Sequence, residues 1–145
     1  MAAKNLKCFS SVMLFVLLFL LTGCRDYISD PEINMPPVLS TDKQTYVMSD
    51  TATVTLFNPS ASIIYVTVVY NSVEIKNNSE WFIYSIVACG GGCPEFAVAK
   101  GQTVSTRNRV AANPGTYRLV CYYGKKPNTP FDEKYRIYSM EFTVN

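Results

Sequence analysis

The chain contains no histidine. That removes the commonest general base and the commonest metal ligand. It also excludes any Ser-His-Asp or Cys-His arrangement. Lysine- or carboxylate-based chemistry stays open, and no stretch points to it. Charge is scarce: Asp, Glu, Lys and Arg make up 17% of the 145 residues, and no basic block of the kind that marks nucleic-acid binding is present. Long apolar runs are missing too. The purest run, residues 12–21, is about half as long as the roughly 20 residues a membrane-spanning helix needs. No segment sustains a 3.6-residue period, and no internal repeat is visible. Tryptophan occurs once, at Trp81.

What is present begins with the N-terminus. Lys4 and Lys7 lead into an apolar core over residues 9–21, interrupted only by Ser10 and Ser11. A basic lead, a short apolar core and a small-residue exit describe a secretory signal peptide. The core closes on Leu21-Thr22-Gly23-Cys24. This stretch resembles the lipobox of bacterial lipoproteins, matching it position by position. The resemblance implies that the Cys24 thiol receives a diacylglycerol, that the chain is cut between Gly23 and Cys24, and that the new amine is acylated. One acyl chain anchors only marginally, whereas two or three hold firmly. The membrane is thus an expected partner through Cys24, and the location is the bacterial cell envelope. Arg25 after the lipidated residue is compatible with outer-membrane sorting. The plainer alternative is an ordinary cleaved signal in which Cys24 is incidental.

Removing residues 1–23 leaves 122, enough for one domain. Losing Lys4 and Lys7 from the 13 cationic side chains leaves 11, which match the 11 acidic ones. The remaining chain is formally neutral. Residues 24–37 read as a lipidated N-terminus and tether rich in proline and polar residues. Extended at about 3.1 Å per residue, they reach roughly 40 Å. Packing of Ile33 or Met35 on the domain is the competing reading.

Residues 38–145 read as strand after strand. Ten Tyr, eight Phe and frequent β-branched residues favour this. Val38–Thr41 and residues 44–48 come first, then a turn at Ser49-Asp50. Thr51–Phe57 alternates cleanly, with Ala52, Val54 and Leu56 on one face, which marks a half-buried strand. Asn58-Pro59-Ser60 is a turn. Residues 63–70 are apolar on both faces, which predicts a central strand. Residues 73–76 and 81–87 around Asn77-Asn78-Ser79 predict a hairpin. A short strand at 96–99, a turn at Lys100-Gly101 and a polar edge strand at 102–110 follow. After Asn113-Pro114-Gly115, residues 116–123 place Tyr117, Leu119 and Cys121 on one face. Residues 134–144 predict one last strand with Tyr138, Met140, Phe142 and Val144 aligned. Turn signals every eight to twelve residues predict an all-β sandwich of about seven to nine strands.

Three segments carry a further resemblance: residues 50–58, the turn over 100–104, and Pro114-Gly115-Thr116-Tyr117-Arg118-Leu119 with the terminal Glu141-Phe142-Thr143-Val144. Together they resemble bacterial immunoglobulin-like domains of secreted and lipid-anchored proteins. Gly-Thr-Tyr entering a late strand resembles the tyrosine corner of such folds. The chain departs from antibody-type domains, because Trp81 and Cys89 both precede Cys121.

Candidate sites are few. Cys89 and Cys93 flank three glycines, and a disulfide between them fits an oxidising compartment. Cys121 is then a buried thiol, the alternative being its pairing with Cys89 or Cys93. Trp81, Phe82 and Tyr84 are either an aromatic platform or core packing. Lys125, Lys126 and Lys134 near Pro127 and Pro130 are either a contact patch or a solvated loop. Asp50-Thr51-Ala52 resembles a short O-glycosylation signal of some envelope proteins, and a turn entering a strand explains it equally. No catalytic residue, cofactor or metal is expected. The leading expectation is a non-catalytic binding or structural module with a protein or glycan partner. The alternatives are a protease inhibitor presenting the Cys89–Cys93 loop, because some bacterial proteinase inhibitors resemble this sandwich, and an enzyme of unidentified chemistry.

Overall fold

The computed structural model describes residues 35–87, 93–128 and 135–145. The expectations for Gly23, Cys24, residues 24–34, Cys89 and Lys134 lie outside the described residues. Those described belong to one compact unit.

Among them are eleven strands and no α-helix. The strands are β1 Val38–Thr41, β2 Thr45–Tyr46, β3 Thr51–Phe57, β4 Ile64–Val66, β5 Ser72–Asn77, β6 Glu80–Ile86, β7 Phe96–Val98, β8 Thr103–Arg109, β9 Gly115–Tyr122, β10 Arg136–Tyr138 and β11 Phe142–Val144. They exceed the expected seven to nine because several are two- or three-residue pieces. One sheet has the order β1-β3-β8. The larger has the order β2-β11-β9-β5-β6, with β10 also on β9. β4 and β7 form a separate pair. With β1, β3 and β8 on one side and β5, β9 and β11 on the other, this is the strand order of an immunoglobulin-type sandwich. β6 extends the second sheet beyond β5.

The alternation of β3 sets one wall of the core. Ala52, Val54 and Leu56 are buried, with Leu39 of β1 beside them. The facing wall comes from β9 and β11, through Tyr117, Leu119, Cys121, Phe142 and Val144. Tyr117 stacks on Phe142 at 5.9 Å and takes Tyr84 edge-on at 5.2 Å. Burying side chains of this size contributes about 1.5–3 kcal/mol each. The Tyr117 hydroxyl donates to the Asn113 carbonyl at 2.8 Å, which pins the turn entering β9. Gly115 opens that strand because a Cβ there would meet Ile75 at 3.2 Å and Tyr117 at 3.3 Å.

Two segments depart from the sequence reading. Residues 63–70 are not a central strand. Only Ile64–Val66 is extended, and it pairs with the short β7. Ile64, Val66, Val69 and Tyr70 are all buried, so apolar residues on both faces reflect a bent chain crossing the core. The last segment is two strands, not one. From Tyr138 to Phe142 the chain takes four steps, while its partner β9 takes three from Val120 to Tyr117. The extra residue is a bulge. It turns Ser139 inward, where its hydroxyl accepts the Leu119 N–H at 2.9 Å. Tyr138 and Met140 are exposed, whereas Phe142 and Val144 are buried.

Candidate functional site

The outer face of the larger sheet carries the densest side-chain chemistry among the described residues. Period-2 alternation puts Ser72, Glu74 and Lys76 of β5 on that face. The register pairs Lys76 with Trp81 and Glu74 with Ile83 on β6, and Glu74 with Arg118 on β9. β10 adds Arg136 and Tyr138, opposite Tyr122 and Val120.

Glu74 is the centre, and it is buried. One carboxylate oxygen accepts from Arg118 Nε at 2.7 Å, and the Arg118 Nη2 lies at the same distance. The other oxygen accepts from Arg136 Nη2. A buried carboxylate is tolerable only with such partners. The two guanidinium faces are in turn stacked on aromatic rings. The Arg118 ζ carbon sits 4.2 Å from the Trp81 ring centre and 4.0 Å from that of Tyr138. The Arg136 ζ carbon sits 4.8 Å from Tyr138 and 5.6 Å from Tyr122. Lys76 Nζ lies 5.5 Å from the Trp81 ring centre and pairs with Glu141 at 3.1 Å. The result is an alternating ladder of cations and rings across four strands. Each desolvated cation–ring contact contributes up to about 2 kcal/mol, and exposed ones about 0.5–1 kcal/mol. Arginine suits this place because its edge can bond a carboxylate while its face stacks.

The arrangement offers a stiff, mixed aromatic and cationic surface whose side chains are already ordered. Such a surface suits recognition, since little rotamer freedom is left to lose on binding. The displaced titration points elsewhere in the domain all have structural causes. Burial pushes the phenols of Tyr46, Tyr70, Tyr117 and Tyr123 upward. Burial also pushes the Cys121 thiol up to about 12. The Tyr46 hydroxyl, donating to Asp42 at 2.8 Å, holds the Asp42 carboxyl below its usual value.

The sequence-predicted residues fall in different places. Trp81 belongs to the ladder. Tyr84 does not stand beside it. It is the extra residue where the β5–β6 register slips, its ring packs on Tyr117, and its hydroxyl accepts the Ala112 N–H at 3.1 Å. Phe82 is half-exposed on the opposite face from Trp81. Lys125 and Lys126 are exposed. Lys125 Nζ sits 5.7 Å from the Tyr135 ring, beside a cleft of about 200 Å³ that Met35, Ser62 and Tyr123 also line. Lys125 thus has neighbours other than those of the ladder, although the ladder's Tyr122 is three residues before it in sequence. Thr51 is exposed at the start of β3. Cys121 is a free, buried thiol, which removes its pairing with Cys89 or Cys93. Cys93 is disulfide-bonded, and its partner lies outside the described residues.

Sequence reasoning missed Glu74, Arg118, Arg136 and Tyr138. The available signal was a charge at a position alternating with apolar residues in each of three strands: Glu74 between Val73 and Ile75, Arg118 between Tyr117 and Leu119, and Arg136 beside Ile137. It also missed the depth of Asn58, which is fully buried. Its amide donates to the Ser62 and Val98 carbonyls, both at 2.9 Å, and its oxygen accepts from Ser60. Neither a protein-family model nor a curated protein matches the chain.

Proposed function

We propose that this is a lipid-anchored protein of the bacterial cell envelope, held to the outer membrane through Cys24. Its sandwich domain is a non-catalytic immunoglobulin-like module that binds a protein or glycan partner. The observation that carries the binding role is the ladder around Arg118 on the outer sheet face, where the Trp81 and Tyr138 rings stack with its guanidinium and Tyr138 is exposed. The strand order and the Tyr117–Asn113 bond support the immunoglobulin-like reading. The Leu21-Thr22-Gly23-Cys24 stretch supports the anchor. Cys89 is the proposed partner of Cys93, bracing the glycine loop between them. The protease-inhibitor reading rests on that loop, and residues 88–92 are not among the described ones, so the ladder face takes precedence.

Two measurements test the parts separately. Mass spectrometry of the protein extracted from membranes should find an acylated Cys24 as the first residue, and Cys24→Ser should release or mislocalise the chain. A capture experiment with the full chain against envelope fractions should retain a saturable partner that Trp81→Ala and Tyr138→Ala each weaken at least tenfold. Retention untouched by both substitutions, or none at all, rejects the ladder as the binding face.

A further inference from the structure

We infer that the cleft lined by Tyr123, Ser62 and Lys125 is a binding site for a small organic carboxylate, one with a ring or a short apolar body. It is a second site and shares no residue with the ladder. The strand period produces it. β9 ends at Tyr122, which faces out toward Arg136, so the next residue, Tyr123, turns toward the core. There its ring packs on Tyr135 at 5.5 Å with a tilt of 51°. Backbone bonds fix these walls. Tyr65 and Gly124 exchange N–H···O bonds at 2.9 and 2.8 Å, and the Tyr123 N–H donates to the Tyr135 carbonyl at 3.0 Å. On the serine side, the buried Asn58 amide donates to the Ser62 carbonyl at 2.9 Å. Together they bound the cleft of about 200 Å³. Walls held in this way leave little freedom to be lost on binding.

The chemistry of the lining selects the ligand. Tyr123 is only 8% exposed. A buried phenol ordinarily has a hydrogen-bond partner, and those of Tyr46 and Tyr117 do. The Tyr123 hydroxyl has none among the described residues, and the cleft is the space that Tyr123 lines. Burial pushes this phenol upward, so it keeps its proton and can donate. Lys125 brings an ammonium to the same cleft. Lys43 and Lys76 each face an acid, whereas no described carboxylate pairs with Lys125. Ser62 adds a second hydroxyl, while that of Ser60 already donates to the Asn58 side chain at 2.6 Å. No Asp or Glu is among the described residues that line the cleft. One cation and two hydroxyl donors match an acceptor-only group with one negative charge, which a carboxylate is. The dianion of a phosphate ester would need a second cation there. Pro37 and Ile64, both buried, and the two tyrosine rings make the remaining lining apolar. The volume lies below the roughly 300–1,000 Å³ of sites for drug-sized ligands, which limits the body to about one ring.

The test uses benzoate, with benzamide as its uncharged isostere, on the isotope-labelled full chain in a zwitterionic detergent. Benzoate should shift the amide resonances of Ser62, Gly124 and Lys125 saturably in the millimolar range and leave those of Trp81 and Arg118 in place. Benzamide should bind at least about tenfold more weakly, the factor that a hydrogen bond to a charged group carries. Lys125→Gln and Tyr123→Phe should each weaken benzoate by about tenfold, and Lys125→Arg should keep most of the binding. Lys125 is exposed, so Lys125→Gln still reads the site should Tyr123→Phe disturb the fold. Equal affinity for benzoate and benzamide, binding undiminished by Lys125→Gln, or no saturable shift at these residues overturns the inference. None of these outcomes bears on the ladder, whose binding is read by Trp81→Ala and Tyr138→Ala.

Discussion

Glu74 shows how much can rest on one side chain. Its carboxylate is buried and is held by two guanidiniums whose side chains are about a fifth exposed. Glu74→Ala leaves both cations facing each other without an anion. Breaking a buried pair costs 3–5 kcal/mol, and the exposure of the arginines places this case at the lower end, about 3 kcal/mol. Urea unfolding should show that loss, whereas Lys76→Ala, which breaks an exposed pair with Glu141, should cost less than about 1 kcal/mol. Cys121 makes a different argument. Its thiol is fully buried, and burial pushes it up to about 12. In the unfolded chain it ionises near 8.5. Above that pH the unfolded state loses a proton that the folded state keeps, so stability falls as pH rises from about 8.5 toward 12. The slope is at most about 1.4 kcal/mol per pH unit. The loss between pH 8 and pH 10 should shrink in Cys121→Val, measured as the shift in urea midpoint. The same burial predicts that alkylating reagents leave Cys121 unmodified until denaturant is added.

At the level of the element, the β5–β6 hairpin is governed by its turn. Asn78 sits at φ 55°, and the Ser79 N–H bonds back to the Asn77 carbonyl at 3.0 Å. Asn tolerates this left-handed conformation, and β-branched residues do not. Asn78→Val should destabilise the domain by about 1–2 kcal/mol, and Asn78→Gly should be neutral or mildly stabilising in the same thermal melt. This hairpin was legible in the sequence because its information is local: a turn signal between two strand-like runs. β1 and β3 were legible to the residue for the same reason, since β3 alternates over its whole length. The split between β10 and β11 was not. Tyr138, Met140, Phe142 and Val144 keep perfect alternation on paper, and only the pairing with β9 reveals the extra residue. Residues 63–70 misled because burial by a crossing chain leaves the same apolar pattern as burial within a sheet. The ladder was hidden for a related reason. Glu74, Arg118 and Arg136 are distant in sequence, and only the β5–β9–β10 pairing brings them together.

For the molecule as a whole, the two sheets differ in what their outer surfaces offer. The β1-β3-β8 sheet turns threonine and serine outward, as in the Thr55–Ser105 hydroxyl pair at 3.1 Å. The larger sheet turns outward the ladder. Between the sheets the first described stretch of strand changes sides within residues 42–44: β1 pairs with β3, and β2 runs parallel to β11. The second pairing is held by bonds from Thr143 N to the Gln44 carbonyl at 2.8 Å, Asn145 N to the Tyr46 carbonyl at 2.9 Å, and Met48 N to the Asn145 carbonyl at 3.1 Å. This has a mechanical consequence. Tension applied between Met35 and Asn145 runs along the axes of β2 and β11, across their hydrogen bonds. The bonds are then loaded side by side in shear and must yield together. Tension applied between Ser72 and Ile86 instead pulls apart the open ends of the β5–β6 hairpin, where bonds can open one after another. Single-molecule pulling should therefore record a higher rupture force along the first direction than the second, which would make the sandwich a resistant link wherever load arrives through its flanking chain.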